Sequence, residues 1–167
     1  MADTAKYGIL IFAVLIILGW WLARKESAVV MAAALLVPAT AVLAYVFQQV
    51  LDNGFNEARP YTIHPDILVL VSRTTDPSFP SDHACAAGAI AAGLFFVNRK
   101  LGIVASICAV VLAFSRVYSG AHWPADVVVG LAFGAVVAVV LIVLLRKPVA
   151  KLVEKLRTSP VKVLVTQ

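Results

Sequence analysis

The chain has 167 residues, of which 62% are hydrophobic and only 14% are charged. This composition lies far from that of soluble domains and predicts a single domain of an integral membrane protein. The formal charge of +5 does not indicate a nucleic-acid partner, because six basic residues are concentrated between Arg146 and Lys162. Cys85 and Cys108 lie inside apolar segments, where we expect small hydrophobes rather than disulfide partners or metal ligands.

Five apolar segments follow one another along the chain, at about residues 7–23, 28–51, 82–97, 101–118 and 124–145. A helix needs about 20 residues to cross the hydrocarbon core, so the second and fifth segments qualify alone and the first and fourth marginally. We therefore predict an all-α, polytopic membrane helix bundle with about five to six transmembrane helices. A cleaved signal peptide is an alternative for the first segment, but its length and the Arg24-Lys25 pair that follows argue against it.

The third apolar segment is short for a membrane span. Its 16 residues would extend about 24 Å, against a hydrocarbon core of about 30 Å. Its small residues, among them Gly88 and Gly93, allow helices to approach closely, which predicts a central position in the bundle. The long loop before it is expected to contain a short interfacial helix that begins at Pro65.

The positions of lysine and arginine predict the orientation of the bundle. Arg24-Lys25, Arg99-Lys100 and the basic C-terminal segment lie on one side of a five-span arrangement, and the loop 52–82 lies on the other. We expect the C-terminus in the cytoplasm and the N-terminus outside. Residues 1–147 would form the transmembrane domain, and residues 148–167 a basic cytoplasmic tail. This tail has the pattern of an amphipathic helix on a membrane surface, with a frayed tail as an equal alternative.

Six polar residues fall on the predicted outer side of the membrane, although the chain is otherwise mostly apolar. Ionisable residues in membrane-spanning chains are costly and usually functional, so we interpret the six as one composite site. Arginine, serine and histidine together can bind a phosphate and attack its phosphorus. The six candidate site residues are Arg59, Ser81, His83, Arg116, His122 and Asp126.

The fragment Pro80-Ser81-Asp82-His83 has the pattern of a helix start, with Ser81 as the expected N-cap. Capping alone would explain Ser81. The N–H groups of a helix start also bind anions, so capping and phosphate binding are compatible. A histidine in the first turn of a membrane helix is harder to explain structurally, which favours a functional role for His83.

The segment 115–126 ends the fourth apolar segment and begins the fifth. Arg116 and Asp126 each suit the end of the helix they occupy, so each has a purely structural explanation. Together they place His122 between an arginine and a carboxylate. A carboxylate that accepts a hydrogen bond from one imidazole nitrogen makes the other nitrogen a better nucleophile or base. Arg59 adds the second guanidinium of a phosphate clamp.

These fragments resemble the three-part signature of the type 2 phosphatidic acid phosphatase superfamily, K-x6-R-P, P-S-G-H and S-R-x5-H-x3-D. The third part matches at every fixed position. The second has Asp82 in place of glycine, and the first has Asp52 in place of lysine, for which Lys6 or Arg73 could substitute. The variant P-S-D-H resembles that of the bacitracin-resistance-type undecaprenyl pyrophosphate phosphatases, small bacterial enzymes.

The resemblance implies a hydrolase of membrane lipid phosphates that needs no metal or other cofactor. His122 would form a phosphohistidine, Asp126 would orient it, and His83 would protonate the leaving oxygen. The phosphoryl oxygens would be held by Arg59, Arg116 and Ser81.

The implied substrate is a polyprenyl (undecaprenyl) pyrophosphate, with phosphatidylglycerophosphate and phosphatidic acid as alternatives. The implied location is a bacterial inner membrane, with the site on the extracytoplasmic face and roles in cell-wall biogenesis and bacitracin resistance.

Two other functions remain open on the sequence alone. A lipid-binding or transport protein would grip an anionic headgroup through the arginines, but it would not need His122 paired with Asp126. A metal-dependent hydrolase is the other alternative, although arginines flank its candidate ligands and no tight H-x3-H repeat occurs. Those ligands are His64, Asp66, Asp82, His83, His122 and Asp126. The sequence does not indicate an oligomeric state.

Overall fold

The computed structural model describes residues 8–158 and residue 165, and this part of the chain is helical without any β-strand. The prediction of an all-α membrane helix bundle is confirmed. Each of the five predicted apolar segments coincides with one helix. The helices are α1 (Leu10–Ala23), α2 (Ala28–Phe55), α3 (Pro60–Ile63), α4 (Asp82–Leu94), α5 (Arg99–Tyr118) and α6 (Pro124–Arg157).

Three helices are long and apolar enough to cross a membrane: Ala28–Asp52 within α2, α5 and α6. Helix α1 is a shorter apolar helix of 14 residues. Helix α4 has 13 residues, or about 20 Å, so it is shorter than the hydrocarbon core. It ends before the predicted boundary because the chain turns at Asn98, whose backbone is extended (φ −154°, ψ 123°) and whose side chain caps α5.

Helix α4 lies at the centre of the bundle and packs against α2, α5 and α6. Its contact with α6 brings the two backbones together, because a Cβ at Gly88 would overlap the Leu131 backbone. A Cβ at Gly134 would likewise overlap the carbonyl of Cys85. These glycines therefore let α4 and α6 lie side by side, with their N-termini at the same end of the bundle.

The described part of the predicted tail continues helix α6, which runs through Pro148 to Arg157. Ala150 and Val153 are buried against the start of α2, in a cluster that includes Met31. Burial of these side chains explains why the helix extends beyond the predicted boundary at residue 147. Residues 159–164 and 166–167 of the predicted tail lie outside the described residues, as does Lys6.

The prediction of an interfacial helix that begins at Pro65 is wrong. The short helix of this loop is α3, which begins one residue after Arg59 because Pro60 occupies its first position. Residues 65–71 instead follow an irregular path. The Leu70 N–H donates to the carbonyl of Ser119, 3.2 Å away, so this backbone is held by the α5–α6 connection rather than by its own helix.

Candidate active site

The six predicted site residues come together at one end of the bundle, where α2 and α5 end and α4 and α6 begin. The Ser81 N–H donates to the carbonyl of Asp126 at 3.2 Å, which joins the start of α4 to the start of α6. Gln48 of α2 donates to the carbonyl of Pro80 at 2.9 Å and ties α2 to the same place. Two helix N-termini therefore direct their positive ends toward this region.

His122 lies in the turn between α5 and α6 and is almost completely buried, with 2% of its surface exposed. Its Nδ1 atom is 2.9 Å from the carbonyl oxygen of Ser78. A carbonyl oxygen can only accept a hydrogen bond, so the network assigns the imidazole hydrogen to Nδ1. The Nε2 atom then carries a lone pair.

Two guanidinium groups meet at this lone pair. Nε2 of His122 is 3.2 Å from Nη1 of Arg59 and 3.4 Å from Nη2 of Arg116. Both arginines are buried, although each keeps its positive charge. The arrangement concentrates two cations around one nucleophilic nitrogen, in a place where an anion would be strongly stabilised.

Arg59 is held from two sides. Its Nη1 donates to the carbonyl of Ala121 at 3.1 Å. Its Nη2 pairs with Oδ2 of Asp76 at 2.6 Å, and its Nε donates to the Asp76 carbonyl at 3.0 Å. The Asp76 side chain is 54% exposed, whereas that of Arg59 is 7% exposed. The connections before α4 and before α6 therefore provide the acceptors that orient the buried guanidinium of Arg59.

The pKa values of His122 and Asp76, two residues in these loops, are shifted by their surroundings. Burial lowers the pKa of His122; Asp126 opposes this shift, and the positive charges of Arg59 and Arg116 reinforce it. The neutral imidazole is thus favoured. Burial opposes ionisation of Asp76, but a hydrogen bond with Thr74 and the charge of Arg59 outweigh it and hold the pKa of that carboxyl below its usual value.

Asp126 was expected to accept a hydrogen bond from His122, but the two side chains are connected through Ser78 instead. The distance from Asp126 Oδ2 to His122 Nδ1 is 3.6 Å, which is beyond a hydrogen bond. Oδ2 accepts from the Ser78 hydroxyl, and from the N–H of Trp123 at 2.9 Å. Asp126 therefore fixes Ser78, whose carbonyl fixes the imidazole.

Ser81 occupies the predicted N-cap position of α4, but its side chain makes no capping hydrogen bond. Its hydroxyl oxygen is fully buried and, among the residues that the structure describes, has no hydrogen-bond partner. An unpaired buried hydroxyl destabilises a fold by about 1–3 kcal/mol, so we expect the Ser81 hydroxyl to pair with a water molecule or a bound ligand. Ser81 presents this hydroxyl at the start of α4, next to the free helical N–H groups.

Asp82 lies between the two candidate histidines. Its Oδ1 atom is 2.8 Å from Nδ1 of His83 and accepts from the His83 N–H at 2.7 Å. The same oxygen is 3.9 Å from Nε2 of His122. The residue that departs from the P-S-G-H pattern is therefore in contact with the site.

Two polar cavities meet at Arg59, Asp76 and Asp82. The first has a volume of about 170 Å³ and also contains Asp52 and His122 in its lining. The position at which the superfamily pattern has lysine thus borders the site. The second cavity, of about 240 Å³, is lined by His83, Arg116 and Tyr61 as well.

Arg73, one of the two suggested substitutes for that lysine, lies over the ring of Tyr61, with 5.6 Å from its guanidinium carbon to the ring centroid. Tyr61 in turn exchanges hydrogen bonds with Thr74, which fixes this part of the loop. Arg73 therefore contacts Tyr61, a lining residue of the second cavity, but does not itself line that cavity. Lys6, the other suggestion, is outside the described residues.

The candidate metal ligands do not form a common cluster. Within residues 8–158 and 165, no three histidine, cysteine, aspartate or glutamate side chains are grouped as a metal site would require. His64 instead faces the ring of Trp123, with 6.1 Å between the ring centroids.

The fold and its hydropathy define an integral membrane protein with a buried cluster of arginine and histidine at one end of its helices. The model of the PAP2 superfamily matches residues 33–149, and the chain belongs to this superfamily. The resemblance seen in the three sequence fragments is thereby confirmed.

Several known proteins are similar in sequence to the chain. An undecaprenyl-diphosphatase BcrC of Bacillus subtilis is 30% identical over 127 residues, which cover 76% of this chain and 64% of the relative. An undecaprenyl-diphosphatase of Sulfolobus acidocaldarius is 35% identical over 95 residues, covering 56% of this chain and 46% of the relative. The chain thus spans about half to two thirds of the length of these relatives.

One solved structure shares the fold. It is the crystal structure of a transmembrane PAP2 type phosphatidylglycerolphosphate phosphatase from Bacillus subtilis, with a TM-score of 0.54. The match covers 84% of this chain and 81% of that protein, at 22% identity. At this identity the likeness concerns the arrangement of the helices.

Proposed function

We propose that this protein hydrolyses a membrane lipid phosphate or pyrophosphate through a phosphohistidine on His122. The observation that supports this most strongly is the convergence of Arg59 and Arg116 on the lone pair of His122 Nε2, at 3.2 and 3.4 Å. A nucleophile between two phosphate-binding groups suits attack on phosphorus. Binding of a headgroup without chemistry would use the arginines, but it gives no reason for an imidazole fixed in this tautomer.

In the first step, the Nε2 lone pair of His122 attacks phosphorus. An N–P bond forms with the terminal phosphorus as its bond to the leaving oxygen breaks, and His83 gives its proton to that oxygen, which is the bridging oxygen of a pyrophosphate or the lipid oxygen of a monophosphate. Nδ1 keeps its hydrogen and donates it to the Ser78 carbonyl, and this hydrogen bond stabilises the positive charge on the ring. The phosphoryl oxygens are held by Arg59, Arg116, the Ser81 hydroxyl and N–H groups at the start of α4.

In the second step, water attacks the same phosphorus. Its proton passes to His83, an O–P bond forms, the N–P bond breaks, and inorganic phosphate leaves with His122 restored to its neutral form. The charge that develops on phosphorus is stabilised by guanidinium groups and helix N-termini, which can act without a metal ion. We therefore propose a metal-independent reaction.

A polyprenyl pyrophosphate, such as undecaprenyl pyrophosphate, is the substrate we propose. Its support is twofold: two similar proteins are described as undecaprenyl-diphosphatases, and the P-S-D-H variant contains Asp82. We propose that such an activity would serve cell-wall biogenesis and resistance to bacitracin; a similar protein of Bacillus licheniformis is named a bacitracin transport permease protein. Phosphatidylglycerophosphate and phosphatidic acid are the alternative substrates.

The position of the site suits a lipid phosphate. It lies at one end of the apolar helices, where headgroups meet water, and the basic pairs Arg24-Lys25 and Arg99-Lys100 lie at the other end. By the excess of basic residues in cytoplasmic loops, we propose an extracytoplasmic site in a bacterial inner membrane. The transmembrane domain would comprise residues 1–147, with an outer loop at 52–82 and a cytoplasmic C-terminus.

The proposal is tested by measuring phosphate release from farnesyl pyrophosphate by the purified protein in detergent, with and without EDTA. We expect wild type to be equally active in both. His122→Ala should lose on the order of 10³-fold or more in kcat, because the nucleophile is removed. His64→Ala is the matched control, since His64 lies in the same outer region but faces Trp123, and it should retain activity.

Each other outcome overturns a definite part of the proposal. Full activity of His122→Ala would reject the nucleophile. Loss of activity in EDTA that returns with a divalent metal would establish the metal-dependent alternative. Binding of the lipid without turnover, unchanged in His122→Ala, would identify a lipid-binding or transport protein.

A further inference from the structure

Asp82 is an unexpected residue in a phosphate site. It begins helix α4, and its carboxylate is within 4 Å of the nitrogen that we propose as nucleophile. A carboxylate at this distance repels an incoming phosphate, which costs binding energy. Its side chain is 34% exposed and borders both polar cavities, so it is not turned away from the site.

The contacts of Asp82 indicate what offsets this cost. Its Oδ1 atom accepts two hydrogen bonds from His83, one from the backbone N–H and one from Nδ1. A carboxylate oxygen is an acceptor, so Nδ1 of His83 must carry hydrogen. Nε2 is then the nitrogen left to exchange a proton with a substrate. The two contacts also restrain the ring relative to the helix start.

We propose that Asp82 is a positioning residue for proton transfer by His83. It holds the imidazole with Nδ1–H bound to the carboxylate, so that Nε2–H points to the leaving oxygen. As the bond from phosphorus to that oxygen breaks, the proton moves from Nε2 to the oxygen. Nδ1 keeps its own hydrogen, which stays hydrogen-bonded to the Asp82 carboxylate. The inference rests on the proposed function, in which His83 protonates the leaving group.

The dependence of the rate on the leaving group distinguishes this role from a structural one. The leaving group of dodecyl phosphate is an unstable alkoxide unless its oxygen is protonated. The leaving group of p-nitrophenyl phosphate is a phenolate, which is stable without a proton. Loss of an aligned general acid should therefore slow the alkyl substrate and spare the aryl substrate. A merely structural defect would slow both alike.

We expect Asp82→Ala to lower kcat for dodecyl phosphate by about 10²-fold, the lower range for general acid catalysis, and kcat for p-nitrophenyl phosphate by less than about threefold. Asp82→Asn keeps an oxygen that can accept from Nδ1, so it should restore a substantial part of the alkyl rate. His83→Ala should show the same selectivity as Asp82→Ala. The double variant should be no slower than His83→Ala, because both changes remove one proton transfer.

Asp66→Ala is the control for a lost carboxylate, because Asp66 is exposed in the same loop region, outside both cavities. Equal losses on both substrates in Asp82→Ala, or no loss on either, would overturn the positioning role. Either result is compatible with an inactive His122→Ala. Activity of His122→Ala on both substrates would instead reject the proposed function itself.

Discussion

Ser78 holds His122 through its main chain, because its carbonyl oxygen lies 2.9 Å from Nδ1 of the imidazole. Its side chain meanwhile donates to the buried carboxylate of Asp126. One residue thus connects the carboxylate and the imidazole, which are 3.6 Å apart at their nearest atoms. Any effect of Asp126 on catalysis should therefore pass largely through Ser78.

This connection predicts how two substitutions combine. Ser78→Ala keeps the carbonyl but removes the hydroxyl that Asp126 holds, so kcat/KM should fall by about tenfold. Asp126→Asn should lower it by about 10–100-fold, as loss of an orienting partner does. Because the two residues act as one unit, the double variant should be little worse than Asp126→Asn. Steady-state kinetics checks this; losses that multiply would show independent roles.

Ser106→Ala is a suitable control for the serine substitution. Ser106 donates to the carbonyl of Gly102 within α5 and is remote from His122 in the helix. Its kcat/KM should remain within about twofold of wild type, since exposed or half-buried substitutions away from such a network are usually mild.

The lowered pKa of His122 predicts the pH dependence of the free enzyme. Attack needs the neutral ring, which is present above its pKa, so the acid limb of log kcat/KM should lie below pH 6.5. Arg59 contributes to this lowering. Arg59→Gln should therefore move the acid limb to higher pH, in addition to reducing kcat/KM. A limb that moves to lower pH in that variant would contradict this account.

Asp76 pairs with Nη2 of Arg59 at 2.6 Å, so we expect it to compete with phosphate for this guanidinium if Arg59 binds phosphate as proposed. In Asp76→Ala the guanidinium keeps its contacts with the carbonyls of Ala121 and residue 76, so it should stay in place. Inorganic phosphate should then inhibit more strongly, with an inhibition constant about threefold to tenfold lower, as expected when a charged competitor is removed.

The inhibition constant is measured in competition with the lipid substrate, and a constant that rises would show that Asp76 mainly positions Arg59. Because Asp76 is half-exposed, its ion pair contributes little to folding, and Asp76→Ala should change the free energy of unfolding by about 1 kcal/mol or less.

The contact between α4 and α6 predicts a strong effect of one methyl group. A Cβ at Gly134 would overlap the carbonyl of Cys85, so Gly134→Ala must separate the two helices. We expect a loss of stability of about 1–3 kcal/mol or more, seen as a lower Tm in detergent. Gly54→Ala is the matched control, since a Cβ there has no neighbour within 4 Å. An unchanged Tm in Gly134→Ala would contradict the close packing.

The helices and the composite site could be anticipated because they depend on local pattern. Apolar segments of the right length became α1, α2, α4, α5 and α6, and the six candidate site residues lie at one end of the bundle. The spacing in residues 115–126 placed Arg116 in the last turn of α5 and His122 in the connection that follows it. Side chains with unusual chemistry are visible in a sequence without knowledge of the tertiary fold.

The loop 56–81 could not be anticipated, because tertiary contacts determine its path. A backbone carbonyl such as that of Ser78 leaves no mark in the sequence, since every residue has one. The helix expected after Pro65 does not form because its backbone pairs elsewhere, as the bond from Leu70 to Ser119 shows. Asp76 is likewise an ordinary loop carboxylate until the fold brings it to Arg59.

The extension of α6 has a similar cause. The basic residues after Lys147 have the pattern of a surface helix, but Ala150 and Val153 find an apolar partner in α2. Their burial favours continuation of the helix across Pro148. The sequence shows that these side chains are apolar, and only the packing shows where they are buried.

The most direct measurement of the central claim is the detection of a phosphoryl group on His122 during turnover. Purified protein is mixed with a prenyl pyrophosphate labelled in its terminal phosphate, quenched in alkali within milliseconds, and analysed by peptide mass spectrometry. The account predicts a phosphoryl group on the peptide containing His122, labile to acid and absent from His122→Ala. Full turnover by His122→Ala, with the label found only in free phosphate, would contradict it.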